Sequence, residues 1–109
     1  MIIVAGTIRL SPSNTQRALD DSVIMAAATV SEEGNIAYSI TADHTETGLL
    51  HVFERYRTPG DLEAHGRSAH MAEFRAAMAT WDLKAIDLHS YEASDRGPLR
   101  RSISSRSGL

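Results

Sequence analysis

Apolar residues alternate along the first ten positions of the chain. Ile2, Val4, Ile8 and Leu10 fall on one side of an extended segment and Ile3 and Ala5 begin the other, so residues 2–10 predict a strand with both faces partly buried. Ser11-Pro12-Ser13 then opens a helix, with two ways to start it: Ser11 as cap with Pro12 in the first turn, or Ser13 and Gln16 as a capping box. The period now lengthens. Leu19, Val23, Ala26 or Ala27, and Val30 recur at helical spacing and give one apolar stripe along residues 13–32, which Gly34 ends.

Alternation returns over residues 35–43, with Ile36, Tyr38, Ile40 and Ala42 on one face. His44 to Gly48 turn the chain into a second run, Leu49 to Arg57, and two neighbouring antiparallel strands are expected. Thr58-Pro59-Gly60-Asp61 carries a cap and a first-turn proline for a short helix ending near Gly66, and Ser68 caps another. That last helix presents Met71, Phe74, Met78 and Trp81 on one face, which reads as core, and residues 83–92 resume a strand pattern.

The order strand, helix, strand, strand, helix pair, strand is that of an α+β, ferredoxin-like split β-α-β arrangement with a four-stranded antiparallel sheet. Right-handed crossovers put both helical layers on one face of the sheet, leaving the other face, with its apolar side chains, uncovered within the chain. A second copy of the chain is the expected cover.

Length agrees with this. A 109-residue chain makes one domain with a limited core, so a partner subunit helps. A hydrophobic fraction of 42% with 23% charged residues is globular, not disordered. The absence of cysteine excludes disulfides, thiolate metal sites and cysteine nucleophiles, and fits a cytoplasmic setting. The apolar N-terminus has no basic leader and is interrupted by Arg9, so neither a signal peptide nor a membrane partner is expected. Net charge is -3, but residues 94–109 hold Arg96, Arg100, Arg101 and Arg106 against Asp95, which leaves -6 for residues 1–93. The expected division is a domain over 1–93 and a flexible basic tail over 94–109. So acidic a body is a poor ligand for nucleic acid.

Three short motifs carry a family resemblance. Gly34 and Tyr38 make a Gly-x-x-x-Tyr start to the second strand; Val52-Phe53-Glu54-Arg55-Tyr56 is an apolar-x-Glu-x-aromatic strand; and His65, Ser68, His70 and Phe74 form a helical His-x-x-Ser-x-His-Phe signature, with Met71 at the common aromatic. Together they resemble the antibiotic biosynthesis monooxygenase (ABM) family of dimeric α+β barrels, over about residues 1–93. The resemblance implies a homodimer and a monooxygenase that oxidises quinols, anthrones or similar aromatic substrates with molecular oxygen and no cofactor. Some relatives degrade haem, but their axial histidine would align near Arg75, so haem is not expected. No Gly-rich phosphate loop follows a strand, and a Rossmann-type nicotinamide or flavin site has no support.

Glu54 shares a strand face with Leu50, Val52 and Tyr56, where a carboxylate among apolar groups is expected to have a raised pKa and to accept a proton. The alternative is a structural carboxylate bonded to a neighbouring strand or subunit. His65 and His70 flank a helix break, near enough to share a pocket mouth, and either can serve as general base or as a capping or packing residue. Tyr38 and Tyr56 are candidate hydrogen-bond partners for substrate oxygens, and Phe53, Phe74 and Trp81 candidate apolar walls. His44, His51 and His89 match no compact ligand motif, so no metal is expected. A non-catalytic dimeric binding module for a hydrophobic small molecule is the competing function.

Overall fold

The computed structural model describes residues 1–100; residues 101–109, part of the expected basic tail, lie outside the described residues. The elements are β1 (Ile2–Leu10), a 3-10 turn (Pro12–Asn14), α1 (Thr15–Thr29), β2 (Asn35–Ala42), β3 (Leu49–Tyr56), α2 (Pro59–Gly66), α3 (Ala69–Met78) and β4 (Leu83–Glu92). The four strands form one sheet in the order β2-β3-β1-β4, every neighbour antiparallel. This is the α+β ferredoxin-like fold. No helix among the described residues is long and apolar enough to cross a membrane.

Register decides which side chains meet. Val4 lies opposite Glu54 and Ile8 opposite Leu50, while Tyr38 lies opposite Glu54 and Ile40 opposite Val52. Cross-strand partners point the same way, so these residues form the helix-facing side. Ile8, Leu10, Leu50 and Val52 join Ala18 and Met25 of α1, Phe74 of α3 and Trp81 in the main core. A smaller cluster of Ile2, Val4 and Tyr56 packs against Leu62 of α2. Trp81 has no exposed surface, meets Phe74 edge-on at 5.3 Å, and donates its indole N–H to Asp21 Oδ2 at 2.8 Å.

The buried stripe of α1 differs from the expected one. Ala18, Ser22, Met25 and Thr29 face the sheet, whereas Val23 and Val30 are 68% and 59% exposed. Small residues set this phase, because they let the helix approach closely, and Ser22 removes its polar cost by donating to the Ala18 carbonyl at 2.6 Å. A reading based on hydrophobicity discards Ser and Thr and so misses the stripe. The start of the helix also differs from both capping schemes. Pro12 takes an early position, but Ser11 makes no side-chain cap bond, and the Asn14 side chain instead donates to the Trp81 carbonyl at 2.9 Å.

The helix pair begins as its sequence predicts. Thr58 and Asp61 form a reciprocal capping box at the start of α2, and Ser68 Oγ accepts from the Met71 N–H at the start of α3. On the side of the sheet away from the helices lie Ile3, Ala5, Phe53 and Tyr91, bordered by His51, Asp87 and His89. Phe53 is 40% and Tyr91 52% exposed. Ile86 and Leu88 of β4 also remain exposed although they point to the helix side.

Candidate active site

Gly34 controls the first half of the site. A side chain there would collide with the Asp61 carboxyl group, so only glycine lets the turn after α1 close onto the capping box of α2. That approach delivers Glu32 to the end of α2, where its Oε2 lies 2.8 Å from His65 Nδ1 and 2.5 Å from His70 Nε2. One carboxylate oxygen therefore serves two imidazoles. The other nitrogen of His65, Nε2, faces Glu54 Oε1 at 3.8 Å, and that same oxygen accepts the Tyr56 phenol proton at 2.6 Å.

The result is a continuous line from His70 through Glu32, His65 and Glu54 to Tyr56, with the rings of Tyr38 and Tyr56 tilted against His65 at 5.9 and 5.3 Å. Accessibility is highest at the His70 end. The side chains of His70 and Glu32 keep 24% and 19% of their surface, His65 only 5%. Burial raises the Glu54 pKa; the Tyr56 hydrogen bond and the His65 charge oppose that rise, and the Glu32 charge adds to it. Burial also holds Tyr38 well above the usual phenol range, helped by the charges of Glu54 and Glu32, and Tyr56 is held there by burial and its bond to Glu54. Both phenols stay protonated, and that of Tyr56 donates to Glu54.

Two concavities flank the line. A groove of about 230 Å³ between α1 and α3 is lined by Ile24, Met25, Ala28, Phe74 and Ala77, with His70 among its polar groups. A second, of about 270 Å³, is lined by Glu32, Gly34, Asp61, Ala64, His65 and Ser68. The first hollow thus lies beside a line of acid and base side chains that is hydrogen-bonded except at the 3.8 Å step from His65 to Glu54.

The fold thus brings together His65, His70, Glu54, Tyr38 and Tyr56, and sets Phe74 on the groove. It does not bring Phe53 or Trp81 to them. Strand alternation turns Phe53 to the opposite face of the sheet, and Trp81 is sealed in the core, with Phe74 between it and the groove. Sequence reasoning missed Glu32. An acidic pair in a turn reads as solvated, and the one available signal was its place two residues before Gly34. His51 and His89 pair with Asp43 and Asp87 and join no larger ligand cluster among the described residues.

Residues 1–77, which contain every member of this line, match the family described as Antibiotic biosynthesis monooxygenase. The chain belongs to the antibiotic biosynthesis monooxygenase family. It is 32% identical over 73 residues to Uncharacterized protein sll1783 of Synechocystis sp., covering 67% of this chain and 50% of that one, so it spans about half the length of this curated relative. Two solved structures named "putative antibiotic biosynthesis monooxygenase" share the fold. The one from Deinococcus radiodurans has TM-score 0.83 at 21% identity, covering 93% of this chain and all (100%) of that one. The one from Caulobacter crescentus CB15 has TM-score 0.81 at 25% identity, covering 86% and 90%. Membership of the ABM family confirms the resemblance carried by the Gly34, Glu54 and His65 motifs.

Proposed function

We propose that this ABM-family chain is a cofactor-independent monooxygenase that oxidises a quinol, anthrone or similar electron-rich aromatic with molecular oxygen, acting as a homodimer. The observation that supports it is the line His70–Glu32–His65–Glu54, which joins an apolar groove to a buried carboxylate.

The substrate ring lies in the groove against Phe74 and Ile24, and its activated C–H or O–H proton passes to the histidine line, His70 at the groove and His65 behind it. For an anthrone-type methylene, the resulting carbanion bonds to oxygen at that carbon. The peroxide then loses water as its O–O bond breaks, leaving a carbonyl; one oxygen atom enters the product and the other leaves as water. The protein contributes a base, orientation and a dry cavity. Glu54, with its raised pKa and its bond from Tyr56, stores the proton in the interior, and the protonated Tyr38 phenol is the donor for an oxygen that gains negative charge.

The test is oxygen consumption by chelator-treated protein given a panel of quinols and anthrones. Turnover that falls at least about a hundredfold in His65→Ala or Glu54→Gln supports the reading. Tight binding of the same compounds without turnover replaces it with a sequestering module.

A further inference from the structure

We infer that Glu32, His65 and His70 also form a binding site for a divalent first-row transition cation, for which Zn²⁺ is the probe. The donor atoms of the three side chains all lie within 4.8 Å of one another. They come from three separate pieces of chain: the turn after α1, the last turn of α2 and the first turn of α3. Both ring nitrogens already converge on one carboxylate oxygen, at 2.8 and 2.5 Å. Ligands bound tetrahedrally at about 2.0–2.1 Å stand about 3.3 Å apart, so the two contacts need to open by less than about 1 Å to admit an ion.

The donor chemistry selects the class of ion. Two imidazoles and one carboxylate suit zinc, iron, nickel or copper, whereas calcium and magnesium favour all-oxygen sets. Three protein ligands leave coordination positions free for water or a small ligand, as in open zinc and facial-triad sites. The surroundings of His65 supply the orientation such a ligand needs. Glu54 faces Nε2 at 3.8 Å and is itself fixed by the Tyr56 phenol, so the His65 ring is held between two carboxylates with Nδ1 aimed at Glu32. An ion entering here displaces the proton of the 2.8 Å hydrogen bond between Nδ1 and the Glu32 oxygen. Partial exposure of His70 and Glu32 lets an ion reach the site from solvent.

The inference does not depend on the proposed oxidation. It predicts competition with it, because a bound ion takes the lone pairs that the histidine line needs for proton transfer. The test is calorimetric titration of the full chain, stripped with chelator and exchanged into buffer, with Zn²⁺. The expected result is one ion per chain with micromolar or tighter affinity and a rise in thermal midpoint, as the ion ties three elements together. Co²⁺ in place of Zn²⁺ should give visible absorption bands of a low-coordinate imidazole site. His70→Ala and Glu32→Gln should each weaken binding at least about tenfold, while His51→Ala and His89→Ala leave it unchanged.

Absence of saturable binding at micromolar Zn²⁺ overturns the site, as does binding that survives in Glu32→Gln and is lost in His51→Ala or His89→Ala. Should His70→Ala lose its folded circular dichroism, the near-isosteric Glu32→Gln variant decides. Failure here is separable from failure of the proposed function. A chain that binds Zn²⁺ but never consumes oxygen when stripped keeps the metal site and loses the oxidation; one that turns over when stripped and binds no ion does the reverse.

Discussion

Tyr56 and Glu54 stand two residues apart on one face of β3, and the phenol donates to the carboxylate at 2.6 Å within a layer made by Val4, Leu62 and Tyr38. The bond gives a buried carboxylate one fixed partner and leaves its charge only partly offset. Burial therefore still dominates and the Glu54 pKa is raised.

Stability should follow that shift in a definite direction. Below the ordinary value of 4.5, Glu54 is protonated in both folded and unfolded chains and costs nothing. As pH rises from there through the raised folded value, the unfolded chain ionises first, and stability is lost until both states are charged. Glu54→Gln removes that penalty while keeping an acceptor for Tyr56. The variant should gain on the wild type in urea melts at pH 8 and not at pH 4. An equal difference at both values would show that Glu54 carries no burial penalty.

Gly34→Ala should damage the site from a distance. Its methyl group would collide with Asp61, so either the capping box of α2 opens or the turn that carries Glu32 retreats from His65. Overpacking of this kind costs about 1–3 kcal/mol. The thermal midpoint should fall, and Zn²⁺ affinity should fall with it. Unchanged melting would mean that the turn yields freely and that Gly34 has no positioning role.

Much of this was legible in the chain, for reasons that differ by element. The strands and the helix pair announce themselves, since alternation at Val4, Val52 and Ile40 and caps at Thr58 and Ser68 are local signals. The phase of α1 was not legible: its buried face is chosen by close approach to the sheet, which rewards Ala18, Ser22 and Thr29 over Val23 and Val30. At the site, Glu54, His65 and His70 could be named from residue type and motif. Glu32 could not, because its partners lie 33 and 38 positions away and meet it only once the chain has folded, through the tight contact of Gly34 with Asp61. Phe53 and Trp81 were aromatic in composition and remote in space, a distinction that needs the register and the core.

Trp81 and Phe74 should separate stability from ligand binding. Trp81 is enclosed and its indole holds Asp21; Trp81→Ala should cost about 3–5 kcal/mol while leaving the KM for the aromatic substrate nearly unchanged in the folded fraction. Phe74 touches both core and groove. A Phe74→Leu variant should stay folded and raise KM. Denaturant melts paired with steady-state kinetics check both, and a KM change in the Trp81 variant larger than that in the Phe74 variant would return Trp81 to the substrate wall.

Phe53 offers the corresponding test of assembly. It lies at the centre of the open sheet face, opposite Ala5 and Ser39, and is 40% exposed, so replacing it should leave the protomer folded. In a two-fold interface the substitution enters twice, and Phe53→Lys would bury two ammonium groups against Ile3, Ala5 and Tyr91, costing dimerisation about 2–4 kcal/mol. Sedimentation velocity at micromolar loading should show a dimer for the wild type and a monomer for the variant. Glu32, His65 and His70 all belong to the helix side of a single chain, so the monomeric variant should still bind Zn²⁺. If the wild type itself sediments as a monomer, the open face is not an interface, yet the histidine line stands, because no partner residue is needed to build it.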